Sequence, residues 1–482
     1  MFEWVKNLFR RKPKMENSGV IKNEVQTILR DYLLSPKYKD MIKGIEYYIG
    51  AQDILKRQRV IMGADGKLVS VGNLINNKMI DNQYAKMVNQ KTNYLLSKPI
   101  SLNSENKDYA DLLNGIFDKK FHKSLKQLGK DCYNTGVGWL YVYYDEIGNF
   151  KIKRMDPLEI IPVWKDKDHE ELEYVIRTYQ IRYFDKGQYK TKDKVEVYTI
   201  NGIEYYESNG SNLSQCLETV SYMSVKDDSG KEHGYNWKRI PFIPFRADET
   251  ELSLLLRVKS LQDGINTILS DFQNNMEEDY RNSIFVLKGY DGTDLKEFRQ
   301  NLIAYGAIKI DGEGHGGVDT ITVDVNSSNY EAILKTLKKA LIENARGFDS
   351  KSDVLGSNPN QMNIQSMYSD IDLDANEMET EFQSSFEQLL WFINQYFVHT
   401  GKGDFSNEKV DIIFNRDILI NESTVIEDIS KSVGILSEET LISQHPYVSD
   451  VEMEIKRKKE ETTETVYPEF PKSGDIDGKE KE

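Results

Sequence analysis

The chain has 482 residues and a net charge of −15, from 63 basic and 78 acidic side chains. The length suggests about three domains, and 39% apolar with 29% charged residues fits a soluble globular protein. An acidic chain lacks the clustered Lys and Arg that hold phosphates, which argues against ordinary nucleic-acid binding. The charge stays compatible with a protein past which DNA has to slip.

The cysteines and the N-terminal segment exclude several protein classes. Cys132 and Cys216 are too few for a disulfide scaffold and favour a reducing compartment. No apolar run approaches the roughly 18 residues of a membrane span. In residues 1–14 the apolar residues precede the basic ones, the reverse of a signal peptide. We interpret residues 1–24 as a flexible or partner-docking arm, with an interfacial helix as the alternative.

The first half of the chain changes from helical to β-rich patterning. Residues 20–130 read as helical, and one apolar stripe from Ile80 to Leu95 contains a single charged residue, Lys91. After Gly136 the pattern alternates, and Asn201-Gly202 is a typical hairpin turn. Sheet packing, rather than a binding surface, is the favoured role of the tyrosines that cluster here. The predicted strands are 139–144, 150–155, 174–183, 195–200 and 203–206.

Two amphipathic helices flank a compact insertion. The first is predicted from Thr250 over about thirty residues, and the second over residues 330–345. The insertion has a β-α-β-β pattern, so the simplest arrangement is a two-helix stalk with this module at its tip. The module comprises strands 284–287, 307–310 and 320–325 and a helix over 294–303.

The C-terminal part begins with a polar loop and a third long helix. Residues 347–363 are rich in Asp, Ser, Asn and Gly, which predicts a loop. An apolar stripe at helical spacing predicts a helix from about Ile364 to Thr400. Two short helices are expected around 424–433 and 438–444, followed after Asp450 by a charged tail that we expect to be a frayed helix and then disorder.

Several apparent catalytic motifs do not hold. Gly312, Gly314 and Gly317 match G-x-G-x-x-G, but a strand follows them where the dinucleotide fingerprint needs a helix. The sequence contains no G-x-x-x-x-G-K-[ST] phosphate loop and no G-x-S-x-G nucleophile elbow. The six histidines are at least 46 residues apart, which gives no local metal pair.

An acidic run on the third helix is the strongest remaining feature. Seven carboxylates and no Lys or Arg lie between Asp370 and Glu387. The spacing of four of them resembles an EF-hand loop, but Ala375 stands where that loop needs glycine. Alternate helical residues also diverge by about 200°, so a metal site is disfavoured. From the residues alone, the favoured interpretation is a solvated helix face; the family resemblance described below makes Asp370, Asp372, Asp374, Glu377 and Glu381 candidates for a channel wall.

The two stalk helices differ in charge. The first is acidic off its apolar stripe, whereas the second carries basic residues. Such faces can meet between neighbouring copies in a ring. The candidates for these contacts between subunits are Asp263, Asp271, Lys335, Lys338, Lys339 and Arg346.

Three blocks together resemble the portal proteins of tailed bacteriophages, especially those of phages of low-GC Gram-positive bacteria. The first block runs from Asn76-Asn77-Lys78 through Tyr94-Leu95-Leu96-Ser97-Lys98-Pro99-Ile100. The second runs from Gly136-Val137-Gly138-Trp139 to Met155-Asp156-Pro157, and the third is the order of helices, module and loop over 250–400. The resemblance covers roughly residues 25–445 and includes no catalytic motif.

The resemblance implies an α+β portal fold with an α/β wing, long stem helices, a small β-α-β-β clip and a helical crown. It also implies a division of the chain, with every boundary approximate. The expected parts are arm 1–24, wing 25–249, stem helices 250–282 and 327–346, clip 283–326, tunnel loop 347–361, long wing or channel helix 362–401, crown 402–450 and tail 451–482.

The same resemblance implies a non-enzymatic protein without cofactors. Twelve subunits would form a ring at one capsid vertex of the virion, assembled in the host cytoplasm without a membrane. Double-stranded DNA would pass through without sequence specificity, and the partners would be the terminase large subunit, the head-tail adaptor, and capsid and scaffolding proteins. The DNA-facing loop candidates are Ser350, Lys351, Ser352, Asp353, Asn358, Asn360 and Gln361.

Two other functions remain open at this point. One is a metal-dependent nuclease or phosphotransferase that uses the carboxylates of residues 370–381. The other is a structural adaptor ring without a DNA path. A channel too narrow for a duplex would favour the adaptor.

Overall fold

The N-terminal third is helical, as its apolar periodicity predicts. The helices are α1 (Lys22–Leu34), α2 (Pro36–Tyr48), α3 (Gln83–Leu96), α4 (Lys107–Ile116) and α5 (Lys119–Thr135), with short strands β1 (Val60–Met62), β2 (Leu68–Ser70) and β3 (Ser101–Asn103) between them. This computed structural model describes residues 22–62, 66–70, 72, 75–209, 212–226, 231–278, 284–288, 317–321, 327–349, 361–416, 422–448 and 451–464.

Two antiparallel sheets follow. The first has the order β13-β4-β5, and the second is a meander in the order β10-β9-β8-β7-β6. Asn201-Gly202 turns β8 into β9 as predicted, with Gly202 at φ 129°. The strands are β4 (Val137–Tyr144), β5 (Phe150–Met155), β6 (Ile160–Trp164), β7 (Leu172–Asp185), β8 (Gln188–Thr199), β9 (Gly202–Asn209), β10 (Asn212–Gln215), β11 (Met223–Lys226), β12 (Glu232–Tyr235) and β13 (Phe242–Arg246).

The core of this region joins the sheets to α1. Val25 of α1 is fully buried among strand residues such as Ile161 and Val197. Tyr141 and Tyr198 contact each other and Phe242 through their rings. These tyrosines pack within the sheet region, as their pattern predicts.

The two stalk helices are α6 (Leu255–Glu278) and α7 (Ser327–Asn344). They run antiparallel, because Phe272 near the end of α6 contacts Tyr330 at the start of α7, while Gly264 lies beside Leu337. Between them, β14 (Ile284–Lys288) pairs with β15 (Gly317–Ile321). β14 coincides with the predicted strand 284–287, whereas β15 begins three residues before the predicted strand 320–325 and overlaps it at residues 320 and 321. The predicted helix 294–303 and strand 307–310 lie outside the described residues.

The predicted third helix is one continuous helix, α8 (Gln361–His399). Its apolar stripe is buried, including Phe382, Phe386 and Phe397. β16 (Asp411–Ile413) pairs with β3. Contacts divide the chain into two compact units, the first comprising residues 1–348 and 370–417 and the second residues 349–369 and 418–482. Residues 402–416, predicted as the start of the crown, therefore belong to the first unit.

The second unit is helical in its described part. It contains α9 (Glu422–Lys431), α10 (Glu438–Ser443) and α11 (Val451–Glu464). Lys458 of α11 forms an ion pair with Glu438 of α10. The two short helices match the predicted ones, and α11 corresponds to the helix expected at the start of the tail.

A ladder of polar side chains on α6 holds the extended segment 77–84. Asn274 accepts a hydrogen bond from the backbone N–H of Asn77 at 2.7 Å, and Ser270 from that of Met79 at 2.9 Å. Asn266 and Gln262 accept from the N–H groups of residues 81 and 84 at 3.1 and 2.9 Å. All four ladder residues are buried. Because an unpaired buried N–H is costly, this ladder fixes the stalk against the helical region.

A buried carboxyl at the end of α5 makes stability depend on pH. Burial raises the pKa of Asp131 to about 7, and this outweighs the attraction of Arg154, whose Nε lies 2.8 Å away. Since the folded pKa exceeds the unfolded value, the carboxyl binds more protons in the folded state between about pH 4 and 7. Stability is therefore lost as pH rises through this window.

Asp131→Asn should remove this dependence. We expect wild type to lose about 2–3 kcal/mol of unfolding free energy relative to the variant between pH 5 and pH 8. Urea unfolding at both pH values measures the difference, with exposed Asp108→Asn as control. Parallel pH profiles of wild type and Asp131→Asn would contradict a raised pKa.

Candidate functional site

The candidate site consists of two short segments, one on each side of residues 350–360 in the chain. Side chains of helix α3 contact both segments. We call residues 345–348, which follow α7, the entry root, and residues 370–374 of α8 the exit root. Both belong to the first unit. Three side chains of one turn of α3 reach them: Gln90, Lys91 and Tyr94.

Gln90 fastens the entry root with two hydrogen bonds. Its Nε2 donates to the carbonyl oxygen of Phe348 at 2.7 Å, and its Oε1 accepts from the N–H of the same residue at 2.9 Å. The preceding Gly347 lies so close to α3 that a Cβ there would meet the sulfur of Met87 at 2.5 Å. The side-chain amide thus pairs with the backbone as a neighbouring strand would, and a larger residue at position 347 would require the Met87 side chain to move.

Lys91 joins the two roots inside the core. Its side chain is fully buried, and its Nζ donates to the carbonyl oxygen of Ala345 at 2.5 Å and lies 2.8 Å from Oδ1 of Asp374. The other oxygen of Asp374 accepts from the hydroxyl of Tyr133 at 2.9 Å. Burial lowers the pKa of Lys91, and Asp374 opposes that shift. Tyr133 is also buried, and its burial together with the nearby Asp374 carboxylate raises the pKa of Tyr133.

Tyr94 and Arg416 hold the outer side of the exit root. The Tyr94 hydroxyl donates to Oδ1 of Asp372. The pKa of Tyr94 is raised, mainly by burial and to a smaller extent by the Asp372 carboxylate. Arg416 donates to the same carboxylate at 3.0 Å and to Glu379 at 2.7 Å. Asp372 and Asp374 thus point to different cations, as the divergence of alternate helical residues predicts.

The acidic run on α8 is largely paired within the chain. Besides the pairs at Asp372 and Asp374, Glu377 lies 2.9 Å from Arg346, and Glu381 lies 3.7 Å from Arg246. Among the described residues Asp370 has no ion-pair partner. The structure therefore offsets much of the negative charge that the run carries in sequence.

Most stem candidates also have partners in their own chain. Asp263 accepts from the Tyr47 hydroxyl and pairs with Lys259, and Asp271 pairs with Arg57. On α7, Lys338 pairs with Asp81 at 2.7 Å and Lys339 with Glu343 at 3.8 Å, and in the entry root Arg346 pairs with Glu377. Lys335, also on α7, is an exposed residue. Contacts between subunits through these faces would first have to exchange the existing pairs.

The loop candidates fall mostly outside what the structure describes. Ser350, Lys351, Ser352, Asp353, Asn358 and Asn360 lie in the segment 350–360, which is not described. Gln361, predicted as the last loop residue, is instead the first residue of α8. Glutamine is a good helix former, whereas the Ser, Asn, Gly and Pro residues before it are not, so the helix begins at this residue.

The described residues contain neither a metal site nor a membrane-spanning helix. Within the described parts of the chain, no group of three His, Cys, Asp or Glu side chains could hold a metal ion. No helix there is long and apolar enough to cross a membrane. The carboxylates of 370–381 therefore form no described ligand cluster for the nuclease alternative.

Sequence reasoning missed the residues that hold the roots. Lys91 stands inside an apolar stripe, and that position was a signal for a buried, paired lysine. Asp374 lies at helical spacing from the buried Ile371 and Met378, which marks it as inward-facing. Nothing in the sequence signals Gln90 or Arg416, because their partners are separated from them by 258 and 37–44 residues.

Comparisons with known proteins agree on one family. The family profile described as "Phage portal protein, SPP1 Gp6-like" matches residues 35–466. The portal protein of Bacillus phage SPP1 is 28% identical over 459 residues, covering 93% of this chain and 88% of that protein. The portal protein of Clostridium phage phiCD119 is 28% identical over 429 residues, covering 86% and 90%.

One solved structure also aligns with much of this chain. A chain in the "Neck of native GTA particle computed with C12 symmetry" aligns with a TM-score of 0.39 and 14% identity. The alignment covers 74% of this chain and 89% of that one.

Proposed function

The chain belongs to the phage portal protein family, and from this premise we propose that twelve copies form a ring at one capsid vertex through which double-stranded DNA enters and leaves. Portal proteins are structural components of the phage particle, and this chain has the mixed α+β architecture expected of one. The proposed ring assembles in the host cytoplasm and acts as a conduit, without catalysis and without a cofactor.

The observation that supports a DNA path is that side chains of α3 hydrogen-bond to both the entry root and the exit root. A segment that touches a moving duplex needs firmly held ends, because a force on the segment is transmitted to them. We propose that residues 350–360 form the tunnel loop. Its Ser and Asn side chains contact the DNA backbone, which positions a duplex but reads no sequence.

Charge supports conduction rather than binding. Twelve copies at −15 each would carry −180. Since most carboxylates of α8 are paired within the chain, the repulsion of phosphates arises from the whole ring, with Asp370 as a local contributor. Such a field acts over roughly a Debye length of about 8–10 Å at physiological salt. DNA in the channel would be kept from sticking to the wall.

Docking is assigned to the module at the end of the stalk. We propose that the terminase large subunit and the head-tail adaptor bind near residues 283–326, and that capsid and scaffolding proteins contact other surfaces of the ring. The antiparallel pair α6 and α7 supports this proposal, because the β14–β15 hairpin follows the end of α6, beyond Asn274, the last residue of the ladder.

The molar mass of the purified protein tests ring formation. One chain has a mass of 55.8 kDa. We expect light scattering to give one species with about twelve times that mass, since a ring closes at a fixed number of subunits. A stable monomer at every concentration would remove the proposed ring.

A further inference from the structure

A cleft of about 890 Å³ opens in the first unit between the β6–β7 loop and α8. Trp164, Lys165 and residues 168–172 form one wall. Thr380, Ser384 and Trp391 lie on one face of α8 and form the opposite wall. A cavity of this size matches those that bury ligands or peptide side chains in other proteins.

The cleft combines aromatic surface with an excess of negative charge, because Lys238 and Arg239 offset only two of its unpaired carboxylates. The guanidinium of Arg239 lies 4.7 Å from the ring centre of Trp391, and His169 stacks on Trp164 at 4.8 Å. Of its basic residues, Lys165 already pairs with Glu171 at 3.1 Å and Arg246 with Glu251 at 2.9 Å. Four acidic lining residues have no ion-pair partner among the described residues: Asp168, Glu170, Glu249 and Glu387. A basic and aromatic segment would complement such a surface.

The N-terminal arm of this chain has that chemistry. Residues 1–14 contain five basic side chains and one acidic side chain, Glu3. The aromatic and aliphatic residues precede most of the basic ones. The apolar members are Phe2, Trp4, Val5, Leu8 and Phe9, and the basic members are Lys6, Arg10, Arg11, Lys12 and Lys14.

Residues 1–14 precede helix α1, whose first turn contacts β7, a strand that contributes to the cleft wall. Glu24, in the first turn of α1, accepts a hydrogen bond from the hydroxyl of Tyr174 at 2.7 Å. Tyr174 is two residues from Leu172, which lines the cleft and pairs with Trp164. Residues 15–21 can span up to about 23 Å when extended, enough to bring the basic residues to the cleft.

We propose that residues 1–14 dock in this cleft of their own chain. The aromatic side chains pack against the parts of Trp164 and Trp391 that His169 and Arg239 leave exposed. The basic residues that follow lie near Glu387 and the other unpaired carboxylates. This inference concerns the arm alone and goes beyond the proposed conduit function.

Disulfide trapping in the full chain tests the docking. Cys216 is exposed and is first replaced by serine, whereas Cys132 is buried and stays. Asn7→Cys is combined with Ser384→Cys on the cleft wall or, as the matched control, with Gln383→Cys. Gln383 is the exposed neighbour on α8 that does not line the cleft. Oxidised samples are compared on denaturing, non-reducing gels.

The proposal predicts that Asn7→Cys combined with Ser384→Cys gives an internally cross-linked monomer, formed several-fold faster than in the control pair. Equal rates at the two positions, or no cross-link, would overturn it. A cross-linked dimer without the monomer product would also overturn it, since the cleft would then hold the arm of another copy.

Charge reversal gives a second readout. Glu387→Arg should slow the cross-link several-fold, whereas Asp108→Arg, exposed on α4 and not in the cleft, should leave the rate unchanged. Raising the salt concentration should reduce this difference, because exposed charges are screened. A rate that does not respond to Glu387→Arg would rule out the charge pairing on which the docking rests.

Discussion

Replacing Lys91 with methionine is expected to destabilise the protein by about 3–5 kcal/mol, because it leaves Asp374 as an uncompensated buried charge. The variant also removes the hydrogen bond to the carbonyl oxygen of Ala345, so the end of α7 loses its partner. Urea or thermal unfolding of the purified protein measures the loss.

The control is Lys86→Met on the same helix, where the lysine is exposed. Its unfolding free energy should change by no more than about 0.5 kcal/mol. Adding Asp374→Leu to Lys91→Met should recover part of the lost stability, since the unpaired charge is then gone. Equal, small losses in Lys91→Met and Lys86→Met would show that the buried pair does not hold the two roots together.

Shortening the proposed tunnel loop should abolish DNA packaging while the ring still assembles. Deleting residues 352–358 leaves both roots intact, including Gly347 and Phe348 at the entry and Gln361 at the start of α8. Because the contacts of α3 with the roots do not involve the deleted residues, we expect the unfolding midpoint and the oligomer mass to stay at wild-type values. The amount of DNA per particle should fall to a small fraction of wild type.

A deletion of equal length, residues 476–482, serves as the matched control for this experiment. It removes charged residues from the end of the chain and should leave packaging intact. Normal packaging in the 352–358 deletion would contradict the tunnel-loop assignment. Loss of assembly in that deletion would instead mean that the segment is needed to build the ring.

Much of the fold could be predicted from the sequence because periodicity reports which face of an element is buried. The apolar stripes of α6, α7 and α8 placed those helices within about five residues of their observed ends. The turn at Asn201-Gly202 was predictable because only a few residue types tolerate its backbone geometry. A short apolar run also predicted β14, whereas β15 overlaps the predicted strand 320–325 at two residues.

The polar face of α6 shows what periodicity cannot resolve. Asn266, Ser270 and Asn274 lie off the apolar stripe, and their spacing does not distinguish them from solvated residues. They are buried because each bonds the backbone of a segment nearly 200 residues earlier in the chain. A polar residue that faces water and one that pairs with a distant N–H look the same in sequence.

The candidate site was only partly predictable for the same reason. The acidic run on α8 looked like one electrostatic unit, yet its members pair with separate cations from α3, the entry root and the segment after α8. Lys91 is a charged residue inside an apolar stripe, and this position predicts that it has a buried partner. Which carboxylate it would meet depended on tertiary packing, which brings α3 and α8 together.

A three-dimensional electron-microscopy reconstruction of the purified assembly tests the central claim most directly. We expect a closed ring with an open axial channel wide enough for a DNA duplex, and residues 350–360 at the channel wall. A ring without such a channel, or one in which these residues face the outer rim, would contradict the account.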